Sequence, residues 1–165
     1  MSKVTTVSDN CIKLIEYYEC GGDVGKFLKA YLCPANVWTI GVGTTVYPNK
    51  AKVEDGDIIT IDQAYSFLRF DLRNAQFSVD SFTTDIISQC QFDSLVSFAY
   101  NLGVSALKTS TLLKKVNKNP LDLSIEAEFI KWIYADGKMM NGLINRRKSE
   151  SYLYFNDKLK FDFNK

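Results

Sequence analysis

What most limits the fold of this 165-residue chain is the order of its two hydrophobic periods. Residues 29–48 carry the strand formers Tyr31, Val37, Trp38, Ile40 and Val42, punctuated by Gly41, Gly43 and Pro48. From Thr60 onward the period turns helical. "TIDQ" reads as a capping box, with Thr60 as the cap and Gln63 reaching back. Ala64, Phe67, Leu68, Leu72, Ala75 and Val79 then keep one apolar stripe, which predicts a long helix over 61–80 that can join two lobes. Upstream, Ser8 or Asp9 caps a first helix whose apolar face holds Cys11, Leu14, Ile15 and Tyr18, and Gly21 and Gly22 end it. Downstream, Phe92, Leu95, Val96 and Ala99 mark an apolar helix that stops at Asn101–Gly103, and further helices are expected over 109–117, 124–134 and 142–155. Strands first and helices only after them predict an α+β fold. The expected plan is one domain over 1–165: an N-terminal lobe over 1–60, a connecting helix over 61–80 and a helical lobe over 81–165.

Composition removes several chemistries. With no histidine in the chain, Cys/His zinc sites and Ser-His or Cys-His nucleophiles are excluded. No metal and no cofactor are expected. The net charge of +1 gives no overall pull toward nucleic acid. The charge is uneven: residues 138–165 hold seven basic and three acidic residues, which makes the tail the side for an anionic partner or simply a solvated basic helix. Cys11, Cys20, Cys33 and Cys90 form no CxxC pair and suit a reducing cytoplasm. "MSKVTTVSDN" has no apolar h-region, and no stretch is apolar enough to span a membrane.

The residues that can do chemistry cluster near the strands. Glu19 lies at the end of the first helix, where the dipole disfavours a carboxylate and so suits a proton donor; Glu16, one turn earlier, is its rival. Thr39 opens "TIGVG", where a hydroxyl beside glycine-exposed backbone can hold a water. Cys33, six residues earlier, reads on its own as apolar packing. Asp23 reads first as a glycine-flanked turn residue. Asn101, Trp132, Arg146 and Arg147 are candidates for sugar and carboxylate contacts, against the alternatives of a helix cap, core packing and pairing within the fold.

Taken together, "LIEYYE", "KAYLCP", "WTIGVG", "ITIDQAYSFLRFDL", "QFDSLVSFAYNLG" and "GLINRR" resemble the phage-type lysozymes (endolysins, glycoside hydrolase family 24) over nearly the whole chain. The resemblance implies a two-lobed lysozyme-like fold with a sugar-binding cleft. It implies hydrolysis of the β-1,4 bond between N-acetylmuramic acid and N-acetylglucosamine in peptidoglycan. It also implies a Glu, then an Asp or Cys, then a Thr as the catalytic set: here Glu19, Cys33 and Thr39. Asn101, Trp132 and Arg146 are the expected substrate contacts. The expected partner is the peptidoglycan glycan strand, with no nucleic acid or membrane partner, and the chain is expected to be a monomer. The family also implies a stay in the host cytoplasm until a holin releases the enzyme to the wall. Two departures stand out. Thirteen residues separate Glu19 from Cys33, more than the family's usual spacing, and "CGGDVGK" carries the excess. Thr44 stands where many relatives have histidine. They motivate a second expectation, a wall-binding protein that has lost catalysis. A toxin built on a lysozyme domain ranks last.

Overall fold

In the computed structural model of the chain, residues 3–84, 87–135 and 137–163 are described. The ends of the expected 1–165 span, and positions 85, 86 and 136, lie outside them. The described residues are mostly helical with a few short antiparallel strands, so the α+β expectation holds.

The residues divide into two compact units, Ile15–Arg73 and Met1–Leu14 joined to Asn74–Lys165. Helix α1, Asp9–Cys20, runs from one into the other. Ser8 caps it, its Oγ accepting from Asn10 N at 3.1 Å. Gly21 and Gly22 stop it at φ 69° and 77°.

The unit Ile15–Arg73 begins with the end of α1, continues through a 3-10 turn, Val24–Phe27, and then folds into a strand pair, β1 Tyr31–Leu32 and β2 Trp38–Thr39. These strands are antiparallel, with Tyr31 opposite Thr39 and Leu32 opposite Trp38. The turn joining them is written in "CPAN". Asn36 N donates to Cys33 O at 2.8 Å and Cys33 N to Val37 O at 3.0 Å, while Asn36 takes the left-handed φ of 59° that asparagine tolerates. Gly41 has no substitute where it sits. Its φ is 60°, and a Cβ there would lie 3.0 Å from Ala64 Cβ and 3.2 Å from Ile59 Cδ1.

The capping box at Thr60 forms as expected, with Gln63 N donating to Thr60 Oγ1 at 3.1 Å and Thr60 N to Gln63 Oε1 at 2.8 Å. The stretch expected as one helix over 61–80 is two, α2 Ile61–Asp71 and α3 Arg73–Phe82, which meet at Leu72. Ile40, Val42, Ile59, Ala64, Leu68 and Leu72 are buried in this unit.

The other unit is carried by α4 Gln89–Leu102, α5 Val104–Thr109, α6 Thr111–Lys118, α7 Ile125–Ile130 and α8 Asn141–Asn156. Gly103, at φ 92°, ends α4 where "NLG" predicts. Helix α7 is shorter than its expected 124–134, and the chain beyond 61 is not wholly helical. A second hairpin, β3 Tyr134–Ala135 with β4 Lys138–Met139, follows α7, both strands exposed. Its turn carries Gly137 at φ 74°. Phe92, Leu95, Phe98, Phe129, Leu153 and Tyr154 are buried in this unit.

Candidate active site

Glu19, Cys33 and Thr39 all lie in the unit Ile15–Arg73. The β1–β2 register explains how two of them meet. Directly paired residues of an antiparallel ladder share a face, as do residues two apart on one strand. Tyr31 and Thr39 therefore face one way, and Leu32 and Trp38 the other. Cys33, just past β1, donates through its N to Val37 O at 3.0 Å, and its sulfur meets the Thr39 hydroxyl. Thr39 is 4% exposed and its Oγ1 donates to Val37 O at 3.0 Å. Cys33 is half-buried and free.

The turn also tunes the thiol. Hydrogen bonds from the Val37 backbone first, then from Ala35 and the Thr39 hydroxyl, pull Cys33 below the ordinary thiol value, against burial acting the other way. Bonds that lower a thiol's pKa are donated to its sulfur, so the N–H groups of Val37, Ala35 and Cys33 favour the thiolate. Thr39 has a single hydroxyl proton, shared between Val37 O and the sulfur, and an ionised sulfur is the stronger acceptor.

Glu19 is half-buried at the penultimate position of α1. Tyr31 connects it to the hairpin. Its phenol is raised by burial and then by the charges of Cys20, Cys33 and Glu19, so the ring stands in the field of both the helix end and the strand. Tyr31 also packs against Phe27, with ring centroids 5.1 Å apart. It was not among the sequence candidates, although its position two residues before Cys33 on the strand would have found it.

Neighbouring groups sort into roles. Burial, and next the Glu16 charge, push the Cys20 thiol up to about 11 and keep it protonated; its Sγ donates to Glu16 O at 3.2 Å. Glu16 is buried, accepting from Val24 N at 3.3 Å and from Tyr65 Oη at 3.0 Å. It holds the inserted segment to α1, and Tyr65 is pushed up to about 12 by burial and then by that bond. Asp23 pairs with Lys26 at 3.2 Å on the surface, which is the turn reading. Thr44 is 1% exposed and donates to Asp71 Oδ2 at 3.3 Å. Burial raises Asp71, and the Thr44 bond partly offsets it.

Asn101, Trp132 and Arg146 belong to the other unit. Asn101 ends α4, its Oδ1 accepting from Arg147 Nη2 at 2.9 Å, so its N–H₂ is what it can offer a sugar. Trp132 is half-buried, edge-on to Phe98 at 5.5 Å, and the Arg147 guanidinium lies 5.0 Å over the same Phe98 ring. These contacts gather Asn101 and Trp132 into one cluster. Arg146 is 4% exposed, with Nε 3.5 Å from Glu150 Oε1. Among the described residues no group of three or more Cys, Asp or Glu side chains is placed to hold a metal ion.

Comparison with known proteins gives the family. The family model described as phage lysozyme matches residues 24–150. An endolysin of Acyrthosiphon pisum secondary endosymbiont phage 1 is 38% identical over 152 residues, covering 90% of this chain and 97% of that protein. An endolysin of Bacillus phage B103 is 36% identical over 153 residues and 90% of this chain, which spans only 53% of that relative's length. Among solved structures, the endolysin from Escherichia coli O157:H7 phage FAHEc1 superposes with a TM-score of 0.84 at 30% identity, covering 94% of this chain and 96% of that one. With a family model over most of its length and a near full-length relative, the chain belongs to the phage lysozyme family.

Proposed function

We propose that this chain cleaves the β-1,4 bond between N-acetylmuramic acid and N-acetylglucosamine with Glu19 as general acid and with Cys33 and Thr39 as the pair that holds and activates water. As a phage lysozyme it is a glycoside hydrolase of the endolysin type, and peptidoglycan is its substrate. Glu19 gives its proton to the departing glycosidic oxygen as the bond to the anomeric carbon breaks. A water held by the Thr39 hydroxyl attacks that carbon and passes its proton to the Cys33 thiolate. The course is inversion. Asn101 donates to the acetamido group of a bound sugar and Trp132 offers a flat apolar face.

The observation that carries this reading is the strand register. It pairs Thr39 with Tyr31, which also feels the Glu19 charge, and the turn it closes brings the Cys33 sulfur to the Thr39 hydroxyl. The enzyme works alone on glycan strands and stays in the host cytoplasm until a holin lets it reach the wall. No helix of the described residues is long and apolar enough to cross a membrane, and none of the four cysteines forms a disulfide.

Clearing of purified sacculi tests the assignment. Glu19→Gln should lower the rate by about 10²-fold or more, the range of a lost general acid. Cys33→Ala should lose a comparable factor. A Cys33→Ala variant as fast as the parent would remove the sulfur from the mechanism.

A further inference from the structure

A cavity of about 400 Å³ opens in the unit Ile15–Arg73, built from the loop after β2 and the start of α2. None of its walls belongs to the catalytic set. Tyr47 and Phe67 line it, their rings edge-to-face at 5.3 Å, and Ile58, 74% exposed, adds an apolar rim. The polar lining is Asn49, Asp57 and Gln63, and no lysine or arginine is among the lining residues.

The hydrogen bonds already made decide what each polar group has left. Asn49 Oδ1 accepts from Ala51 N at 3.0 Å, and Gln63 Oε1 accepts from Thr60 N at 2.8 Å. Both amide oxygens are committed, so both present N–H₂ donors. Asp57 Oδ2 accepts from Tyr47 Oη at 2.8 Å and from Glu54 N at 2.9 Å, which leaves Oδ1 as an acceptor. The backbone bond at Glu54, then the Tyr47 hydroxyl, hold this carboxyl ionised.

The site thus offers two fixed donors, one fixed acceptor and an aromatic wall. An anion is opposed by Asp57. An ammonium has no use for two N–H₂ groups. A neutral sugar uses all of it: a hydroxyl donates to Asp57, acetamido and hydroxyl oxygens accept from Asn49 and Gln63, and the C–H face lies on the rings. We propose that this cavity is a second saccharide site, separate from the catalytic residues, that takes an N-acetylhexosamine unit of a glycan strand. Only the source of that sugar, the bacterial wall, rests on the function proposed above. Such a site holds the enzyme on an insoluble polymer while the catalytic residues work elsewhere on it.

The test is a titration of the full chain with methyl N-acetyl-β-glucosaminide, followed by backbone amide NMR. The amides of Asn49, Asp57, Ile58 and Gln63 should shift in a saturable way. Asp57→Asn keeps an oxygen for Tyr47 and Glu54 but turns the remaining acceptor into a donor, and should weaken binding at least fivefold. Phe67→Leu removes the aromatic wall and should do the same, with spectra unchanged away from the cavity showing that both variants are folded. Absence of shifts at these amides, Asp57→Asn binding as well as the parent, or shifts caused by lysine amide in place of the sugar would each overturn the proposal. The probe has no strand linkage to cleave. A chain that binds it here but fails to clear sacculi refutes the catalytic assignment alone, and one that clears sacculi but ignores the probe refutes this site alone.

Discussion

At the scale of single residues, the proposed chemistry turns on a sulfur, Cys33, as the group that takes the proton of the attacking water. A thiol is a weak acid, with a reference pKa of about 8.5, and is useful as a base only if something favours its anion. The N–H groups of Val37, Ala35 and Cys33 and the Thr39 hydroxyl do that, lowering this thiol while burial keeps Cys20 protonated. The rising limb of the kcat/KM profile should therefore follow the ionisation of Cys33. In Cys33→Asp that limb should move to lower pH by several units, because aspartate ionises near about 3.9. A limb that stays in place would assign the base to another group. Thr44 and Asp71 carry a separate pH effect, on stability. The folded state raises Asp71 above its ordinary value, so it binds the proton more tightly than the unfolded chain does. Stability is then lost as pH rises from the unfolded value through the folded one. Asp71→Asn, which can still accept from Thr44, should melt above the parent at neutral pH, and the gap should close in acid below the ordinary aspartate range. A constant gap across that window would contradict the burial account. The sequence offers Glu19, Cys33 and Thr39 as candidates, but not the tuning of the sulfur, which depends on where three N–H groups and one hydroxyl point.

At the scale of elements, sequence patterns worked where local chemistry decides and failed where it does not. The Thr60–Gln63 capping box and the glycine stops after α1 and α4 were legible because caps are made by neighbours in the chain. The interruption at Leu72 was not, since the apolar stripe runs straight through it. The β3–β4 hairpin was missed because its strands are two residues long and exposed, and so leave no apolar alternation to read. The two-residue ladder of β1 and β2 is likewise too short to announce a register, yet that register sets the site. Its position depends on Gly41, just after β2, whose N donates to Phe27 O at 2.7 Å and whose missing Cβ lets α2 come close. Gly41→Ala meets both a positive φ and a contact at 3.0 Å, which together should cost about 2–3 kcal/mol. Thermal melting should fall by roughly 5 °C or more; a change within about 1 °C would mean that α2 yields easily there.

At the scale of the whole molecule, the division of the chain cuts across its helices. The first turns of α1 belong with residues far along the sequence: Ser8 N donates to Asp93 Oδ1 at 3.0 Å, and Ser8 Oγ to Asp93 Oδ2. These partners lie 85 positions apart, and no local pattern joins them. The buried set of Arg147, Glu150 and Ser97 joins a local pair on α8 to a distant residue of α4: Ser97 Oγ and Arg147 Nη2 donate to Glu150 Oε1 at 2.8 and 2.9 Å. The sequence offered Arg146 and Arg147 either as contacts for carboxylates or as pairs within the fold, and Arg147 meets Glu150 there while it holds Asn101. What sequence conveyed at this scale was the family, through ordered blocks along the chain. The central claim is that the chain is a muramidase, and the products of a digest test it most directly. After the parent acts on purified sacculi, the new reducing ends should be N-acetylmuramic acid, and Glu19→Gln should release almost none. N-acetylglucosamine reducing ends, or anhydro sugars, would contradict the account.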